Sequence, residues 1–512
     1  MDAAVAGRIH PRGGRGYFGV APMPFAKTRN AVPLPTASVP VVDVPDFRRA
    51  VLAAVEAGQR LLLLTGLDRE GEKTRLLAAL ADDSGGEIGL CATLVTEAFP
   101  ALTPDCPAAH YFEREIHEQW GVHPQGHPWL KPVRFAPGGP AIGDTDFFAV
   151  SGAEIHEVAV GPVHAGIIEP GHFRFNCHGE RVIHLETALG YQHRGIERAL
   201  VGGPHKRSPY IAETIAGDTT AGHMTAYCQG IEALAGVACP PRALALRAVA
   251  LELERIANHI GDLGALAGDV GYLPAAAYCG RIRGDVLNMT ALLCGSRLGR
   301  SWIRPGGVAH DIDDDILSDL KRRIAVAESD MEIAVTLIRT SSSVRARFEN
   351  TGVLSKDAAT ELGVVGPAAR ASGVDRDSRR DLPSPPYADR HPAIVVGADG
   401  DVFARAAQRW QEIKSAIAFL QRTLEDLETG APQTAMEPLA PNALVVSVVE
   451  GWRGEIVHLA TTDRTGRFAR YKIVDPSFRN WFALTIAMRG QAILDFPVCN
   501  KSFNLSYCGH DL

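Results

Sequence analysis

Acidic and imidazole side chains are concentrated between residues 110 and 135, in the stretch HYFEREIHEQWGVHPQGHPWLKPVRF. Glu113 and His117 are one helical turn apart, a spacing that two ligands of one metal ion can use. The spacing alone nevertheless favours a charged surface helix followed by a loop that prolines fix. The stretch contains three acids and three histidines within fifteen residues: Glu113, Glu115, Glu118, His117, His123 and His127.

A second group of histidines lies between residues 156 and 193. No two of the six are four residues apart on an evident helix, so strand surfaces and core packing explain them better than a metal site. The nine cysteines are odd in number and include no C-x-x-C pair. A disulfide framework or a zinc knuckle is therefore not expected, and a reducing cytoplasm fits best.

Three ionisable residues share one face of a predicted long helix, in RALALRAVALELERIANHIGDLGALAG. Glu252, Arg255 and His259 are three and four residues apart and lie off the apolar stripe of that helix. They are candidates for moving protons. They are equally well explained as a buried ion pair that holds loops to the helix, because buried charges must be paired. Both interpretations stay open.

The overall charge excludes some classes of function. Lys and Arg number 52 against 59 Asp and Glu, a net charge of −7. A general nucleic-acid binder would need a basic surface, so no nucleic-acid partner is expected. The sequence contains no run of eighteen or more apolar residues, the length that would span a bilayer. No G-x-G-x-x-G follows a predicted strand, so NAD binding has no support.

Composition and periodicity divide the chain into four segments. Residues 1–40 are rich in Gly, Pro and Arg and predict a flexible arm. Residues 41–137 predict a small α+β domain, with a helix at 43–59 and three strands after it. Residues 138–154 predict a linker. Residues 155–512 predict strands followed by long helices of a bundle, with a hairpin after Pro441.

The order of several motifs carries a family resemblance. GPVHAGIIEPGHFRF (161–175), GYQHRGIERAL (190–200), RFENTGVL (347–354) and EGWRGEIVH (450–458) resemble the large subunit shared by energy-converting, formate-hydrogenlyase-type NiFe hydrogenases and by the quinone module of complex I. The stretch at 110–135 resembles the small hydrophilic core subunit of complex I. The resemblance implies a fused chain: a small α+β domain, and a NiFe-hydrogenase-like helical bundle with peripheral strands.

The metal-binding cysteines of that family are missing here. The two cysteines of the family pattern C-G-x-C-x-x-x-H correspond to Ala216 and Thr219, and its histidine corresponds to His223. The two cysteines of D-P-C-x-x-C correspond to Ser506 and Gly509. Nickel and iron need soft thiolate ligands. The resemblance therefore implies a chain without its own NiFe centre, and no residue is assigned as a metal ligand.

Complex I uses the vacated cavity for a quinone headgroup, which suggests a possible quinone ligand here. His164 and His172 match the histidine loop of that family, Glu169 lies in the same motif, and the tyrosine of the family corresponds to Thr214. We expect the histidine loop, the Thr214 loop and the tail to converge on a cavity lined by His172, Thr214 and Ser506, unless Phe503 or Tyr507 plugs it. The candidate catalytic residues are His164, His172, Glu169, Thr214, His223, Glu252 and His259.

The resemblance implies a subunit of a membrane-associated oxidoreductase complex, peripheral on the cytoplasmic face. Its expected partners are a small subunit that carries a 4Fe-4S cluster and membrane-embedded antiporter-like and complex I-like subunits. The chain would pass electrons from that cluster to a quinone-like acceptor. The alternatives are a non-catalytic scaffold or coupling subunit, and a hydrogenase or NADH-quinone oxidoreductase activity that rests on family membership only. Whether this chain is itself catalytic stays open.

Overall fold

The computed structural model describes residues 24–136 and 138–512, and it has the α+β architecture that the sequence predicts. None of the helices in these two ranges is both long enough and apolar enough to cross a bilayer. The strands are β1 (Ala26–Thr28), β2 (Leu34–Pro35), β3 (Val41–Val42), β4 (Arg60–Glu70), β5 (Lys73–Asp82), β6 (Glu87–Val95), β7 (Ala98–Pro100), β8 (His123–Gln125), β9 (Ile155–Val160), β10 (His172–His178), β11 (Arg181–Ala188), β12 (Ile303–Arg304), β13 (Gly307–Val308), β14 (Ala443–Gly451), β15 (Gly454–Thr462) and β16 (Phe468–Val474). The helices are α1 (Val44–Glu56), α2 (His110–Trp120), α3 (Ile196–Leu200), α4 (Ser208–Ala212), α5 (Thr220–Ala235), α6 (Pro241–Asp269), α7 (Leu273–Cys294), α8 (Asp314–Thr340), α9 (Ser342–Phe348), α10 (Lys356–Glu361), α11 (Gly366–Ala371), α12 (Ser378–Asp381), α13 (Val402–Glu425), α14 (Pro476–Ala487), α15 (Phe496–Phe503) and α16 (Tyr507–Asp511).

The N-terminal part is a five-stranded sheet with one covering helix, in which β3 pairs parallel to β6 and the other pairs are antiparallel. Strands β4, β5 and β6 are neighbours in that order, which confirms the three predicted strands. Helix α1 begins after Asp43, whose carboxylate accepts the N–H of Asp46 and so caps the helix. Its apolar residues Phe47, Val51 and Ala54 are buried in the same core as the strands. The predicted helix at 43–59 is therefore confirmed.

The predicted flexible arm is wrong for residues 24–40, and residues 1–23 of it lie outside the described residues. Strand β1 pairs with β6, and β2 pairs with β14 of the C-terminal sheet. Asn30 adds a third anchor, because its amide exchanges hydrogen bonds with the backbone of Val448. Glycine and proline content predicted mobility, but backbone pairing with distant strands holds this segment in place.

The C-terminal part joins a helical bundle to two sheets. Helix α6 packs against α7 and α13, and α7 packs against α8. Gly264 permits the close approach of α6 to α7, since a Cβ added there would lie 2.6 Å from Cβ of Cys279. Strands β9, β10 and β11 form one antiparallel sheet, and β14, β15 and β16 form another that packs against α5. The predicted hairpin is thus part of a larger sheet.

Buried ion pairs join the N-terminal part to the C-terminal part. The Lys472 ammonium of β16 lies 2.5 Å from Glu115 of α2 and 3.0 Å from Glu197 of α3. Arg60 of β4 lies 2.6 Å from Glu455 of β15. All five side chains are buried. Since a buried charge without a partner is costly, these pairs tie the two parts into one folding unit.

Helix α2 is not the charged surface helix that the spacing favoured. Glu113, Arg114 and Glu115 are all buried. Glu113 accepts hydrogen bonds from the backbone N–H groups of Leu102 and Thr103, and Glu115 pairs with Lys472 as well as with Arg134. Composition alone cannot tell a solvated acid from one that distant residues neutralise.

Replacing the lysine at the centre of this contact should destabilise the whole chain. In the Lys472→Met variant, Glu197 loses its ammonium partner and Glu115 keeps only Arg134, and removing one member of a buried ion pair costs about 3–5 kcal/mol. The midpoint of urea unfolding should therefore fall. Lys27→Met is the matched control, because its pair with Glu87 lies at the surface and should contribute little. Equal midpoints for the two variants would contradict this role of Lys472.

Candidate functional site

Two arginines bring together the loop before α5 and the C-terminal tail. Arg194 donates to the carbonyl oxygens of Thr214 and Ile215, and also to that of Cys508 at 3.1 Å. Arg453 forms a bidentate ion pair with Asp218, at 2.6 and 2.7 Å, and its Nε donates to the carbonyl of Asn504. These bonds join the two segments that hold cysteine ligands in the resembled family.

The histidine loop of residues 161–175, called the histidine segment below, contacts the same tail. The N–H of Tyr507 lies 3.4 Å from Oε2 of Glu169, and the amide of Gln192 donates to Oε1 of Glu169 at 3.0 Å. A Cβ added at Gly171 would lie 2.6 Å from the Tyr507 ring, so only glycine permits this approach. The predicted convergence of the three segments is therefore supported by direct contacts. The open cavity between them stays a prediction.

The four positions that carry cysteines in the family pattern do not fit a nickel-iron centre. Ala216 has no donor atom, and the Thr219 hydroxyl accepts hydrogen bonds from Trp452 and Arg453. The Ser506 hydroxyl accepts the N–H of Gly509 at 2.9 Å. A Cβ added at Gly509 would lie 2.7 Å from the Asp475 carboxylate, so a cysteine there would have to displace a carboxylate that His223 and the N–H of Ser477 hold. The four positions thus offer no soft donor.

The cysteine next to these positions is a protonated thiol. Its sulfur lies 3.4 Å from the Ser506 hydroxyl. Burial raises the pKa of Cys508, and the charge of Glu169 raises it further. Because the thiolate is the form that binds metals, this shift works against Cys508 as a ligand. Among residues 24–136 and 138–512, no three or more His, Cys, Asp or Glu side chains are grouped to hold a metal ion.

The two histidines of the histidine segment are held by local carbonyl groups. His164 Nε2 lies 2.8 Å from the carbonyl of Gly171, and His172 Nδ1 lies 3.2 Å from that of Gly161. Burial lowers the pKa of His172, so this imidazole is neutral at physiological pH. Arg174 contacts its other ring nitrogen at 3.3 Å. His172 directly follows Gly171, whose backbone approaches the Tyr507 ring. His172 is therefore next in sequence to the contact between the histidine segment and the tail.

Thr214, to which the resemblance assigns a hydroxyl donor, has its hydroxyl turned to the preceding helix. The hydroxyl lies 3.1 Å from the carbonyl oxygens of both Tyr210 and Ile211 of α4, so its proton is engaged there. Tyr507 is the tyrosine that the structure places in the tail. Its ring packs against Trp481, at 4.8 Å between ring centroids. The side chain named as a possible plug is therefore packed beside the histidine segment.

Glu252 and His259 lie in a separate buried cluster of charges. Glu252 pairs with Arg255 at 2.9 Å, and His259 lies 3.0 Å from Glu412. Burial lowers the pKa of His259 despite that carboxylate. This arrangement favours the ion-pair interpretation of the helix face. The cluster also contains Arg370, Asp377, Arg379 and Glu450.

Trp452 separates this cluster from the loop before α5. Its ring centroid lies 6.0 Å from that of His259, and its indole N–H donates to the carbonyl of Asp218 at 3.0 Å. The structure therefore does not join Glu252 and His259 directly to the segments around Ser506. Trp452 contacts both regions, His259 through its ring and Asp218 through its indole N–H.

The retained histidine of the family pattern has partners that the sequence did not reveal. His223 lies 3.0 Å from Asp475 and 3.1 Å from His458, and His458 lies 2.9 Å from the Tyr471 hydroxyl. His458 lies in EGWRGEIVH, one of the motifs that carry the family resemblance, so the sequence alone could have identified it as a candidate. Asp475 and Tyr471 lie in none of the matched motifs, so only the tertiary contacts identify them.

A carboxyl group that the sequence analysis missed lines a small cavity beside Asp218. Glu254 accepts the N–H groups of Ala221 and Gly222, at 2.6 and 3.2 Å, at the first turn of α5. The cavity has a volume of about 20 Å³. That is enough for an ordered water.

Two family models and several curated proteins match the chain. Residues 41–139 match the model of the respiratory-chain NADH dehydrogenase 30 Kd subunit, and residues 269–442 match that of the 49 Kd subunit. The carbon monoxide-induced hydrogenase of Rhodospirillum rubrum is 30% identical over 68% of this chain and 97% of that protein. Formate hydrogenlyase subunit 5 of Escherichia coli is 27% identical over 80% of this chain and 76% of that protein. An NADH-quinone oxidoreductase subunit of Clostridium beijerinckii is 31% identical over 63% of this chain and 87% of that protein.

The buried carboxyl group predicts a dependence of stability on pH. Burial raises the pKa of Glu254 to about 8, although the two backbone N–H groups lower it. The folded state then holds this proton more tightly than the unfolded state. Its stabilising contribution is complete below the ordinary glutamate pKa of 4.5 and is lost as the pH rises through about 8.

We expect Glu254→Gln to remove this dependence on pH, because the amide cannot ionise, although its oxygen keeps only one of the two N–H groups as a partner. Wild type should lose stability relative to the variant between about pH 5 and about pH 9, as measured by urea unfolding. Glu56→Gln, at an exposed position, is the control. Parallel pH profiles for wild type and Glu254→Gln would contradict the prediction.

Proposed function

The chain belongs to the family that includes the 49 Kd and 30 Kd subunits of respiratory-chain NADH dehydrogenase and the large subunits of related hydrogenases, and on this premise we propose that it is an electron-transfer subunit without its own metal centre. It would work within a membrane-associated oxidoreductase complex, on the cytoplasmic face. Electrons would arrive from a 4Fe-4S cluster in a partner subunit and pass to a quinone-like acceptor.

The contact between Gly509 and Asp475 is the observation that carries this proposal. A thiolate at Gly509 would need the space that the Asp475 carboxylate occupies, at 2.7 Å from the added Cβ. The other three positions carry a methyl group or hydroxyl groups engaged in hydrogen bonds. Hydrogen chemistry at a nickel-iron centre is therefore not proposed, whereas the shared fold favours a role in electron transfer.

The residues around the tail suit an acceptor that takes up protons with electrons. Reduction of a quinone to a quinol consumes two electrons and two protons, so hydrogen-bond donors must lie near its two oxygens. His172 and Glu169 lie in the segment that contacts the tail, and the Cys508 thiol is protonated beside them. We propose His172 as the donor because its segment contacts the tail, and an acceptor oxygen would replace the carbonyl of Gly161 as the partner of its ring N–H.

A scaffold without redox activity is the second candidate. It is favoured by the packing of Tyr507 against Gly171 and Trp481, which fills space beside the tail. In that case the chain would dock its partners and transmit conformational change. The two candidates differ in whether an acceptor is reduced at this subunit.

The metal content of the protein tests the first part of the proposal. The chain purified from its native cells should contain no stoichiometric nickel, because none of the four positions carries a thiolate and a side chain at Gly509 would have to displace the Asp475 carboxylate. Elemental analysis by mass spectrometry provides the measurement, with a nickel-containing hydrogenase prepared in parallel as the control. About one nickel per chain, the content of an intact centre, would contradict the proposal.

Substitution of His172 tests the acceptor site. In membranes that contain the assembled complex, with reduced methyl viologen as donor and ubiquinone-1 as acceptor, His172→Ala should lower turnover by about tenfold or more through the loss of a proton donor. Assembly should be unchanged. His178→Ala is the matched control, because His178 lies on the same strand and its side chain is exposed.

The outcomes separate the two candidate functions. Equal turnover in both variants would show that His172 does not serve the acceptor. Wild-type membranes with no more activity than membranes lacking the chain would favour the scaffold.

A further inference from the structure

The imidazole of His172 is held at both of its ring nitrogens and against one aromatic ring. Its Nδ1 lies 3.2 Å from the carbonyl oxygen of Gly161, and its Nε2 lies 3.3 Å from Nε of Arg174. The Phe147 ring packs against it, at 5.0 Å between ring centroids. Contacts on three sides therefore fix the orientation of this ring.

The two hydrogen bonds decide which ring nitrogen carries the proton. A guanidinium has N–H donors and no acceptor, so Nε2 of His172 must accept from Arg174 and carries no proton. A carbonyl oxygen can only accept, so Nδ1 must donate to Gly161. Both partners thus require the same neutral form of His172, with its single proton on Nδ1.

Arg174 is itself held from two other directions. Its guanidinium carbon lies 4.5 Å from the centroid of the Phe147 ring, within the range of a cation–π interaction. Its Nη1 donates to Glu157 of the neighbouring strand β9 at 3.2 Å. These contacts use the face and the far end of the guanidinium, and they leave the Nε–H directed at His172.

Phe147 owes its position to the backbone of the next residue. The N–H of Phe148 donates to Glu186 at 2.9 Å, and the carbonyl of Phe148 accepts from the amide of Asn176 at 3.0 Å. Glu186 and Asn176 are both buried on the paired strands β11 and β10. The stretch before β9 is thereby fixed to this sheet, and it carries the ring that packs against both Arg174 and His172.

The charges that face His172 agree with this assignment. Burial is the largest influence and lowers the pKa of His172, and the charges of Arg174 and His164 lower it further. The hydrogen bond to Gly161 and the charge of Glu186 act in the opposite direction and raise it. The net shift is downward, so the imidazole stays neutral, as its two hydrogen bonds require.

We propose that Arg174 is a positioning residue that acts through His172: it keeps the ring proton on Nδ1 and polarises this N–H towards the oxygen of an acceptor. The positive charge at Nε2 draws electron density from the ring, so the Nδ1–H becomes a stronger donor. An oxygen that gains negative charge on reduction is stabilised most by such a bond. This role rests on the proposed function, in which a quinone-like oxygen would take the place of the Gly161 carbonyl.

Nitrogen-15 NMR of the full chain, labelled in its histidine rings, tests the position of the proton without any activity. Comparison with His172→Gln identifies the two ring signals of His172. We expect the signal of a protonated nitrogen at Nδ1 and that of an unprotonated nitrogen at Nε2. A proton on Nε2 in the wild type would overturn the inference, because the Arg174 N–H could not then donate to it.

The same signals show whether Arg174 is the cause. In Arg174→Met the N–H donor and the positive charge are both lost, so Nε2 should take up a proton at a higher pH than in wild type. Glu157→Gln is the matched control, since it removes the ion pair of Arg174 and keeps the bond to His172. It should keep the proton on Nδ1. An unchanged titration of His172 in Arg174→Met would overturn the inference.

Turnover in membranes that contain the assembled complex tests the role in the reaction, with reduced methyl viologen as donor and ubiquinone-1 as acceptor. Arg174→Met should lower turnover by about tenfold, because the donor to the acceptor oxygen is weakened, and Glu157→Gln should retain it. Thermal midpoints should match that of wild type, since both side chains are partly exposed and their ion pair contributes little.

The outcomes separate this inference from the proposed function. An active wild type with equal turnover in Arg174→Met would overturn the role of Arg174 and leave the proposed function intact. A wild type without activity would overturn the proposed function, and with it the need for a polarised donor at His172.

Discussion

The ion pair between Arg453 and Asp218 is the interaction on which the geometry of the site depends. Arg453 lies in the turn between β14 and β15, and it holds the loop before α5 through Asp218 and the tail through the carbonyl of Asn504. Trp452, next to it, fixes the carbonyl of Asp218 and the hydroxyl of Thr219. Without this pair, the turn between β14 and β15 would lose its ionic link to the loop before α5, and Arg194 would be left to join that loop to the tail.

Two arginines join the segments that carry cysteines in the family pattern. In the family pattern, four thiolates on two segments would share one centre and so hold the segments together. Here Arg453 and Arg194 join the same two segments through charge-assisted hydrogen bonds to a carboxylate and to backbone carbonyl groups. These bonds hold the two segments together with Ala216, Thr219, Ser506 and Gly509 at the positions of the family cysteines.

Buried charges have a second role in the architecture. Lys472, Glu115 and Glu197 join the N-terminal and C-terminal parts, and the cluster around Arg370 and Glu412 holds the bundle to the terminal sheet. Such pairs contribute less to stability than their number suggests, because each ion loses its hydration. Their value lies in specificity: a displaced segment would leave charges unpaired in the interior.

Local patterns in the sequence determined the elements, and the tertiary structure determined the site. The helix after Asp43, the three strands that follow it and the long helix around Leu253 could be predicted, because each has a period and boundaries of its own. The order of motifs also predicts which positions correspond to the family cysteines, and the sequence has no cysteine at any of them. The anchoring of residues 24–40, the burial of Glu115 and the contacts of His223 with Asp475 and His458 could not be predicted. Each depends on partners hundreds of residues away, and a spacing pattern contains no information about which distant charge or strand will lie beside it.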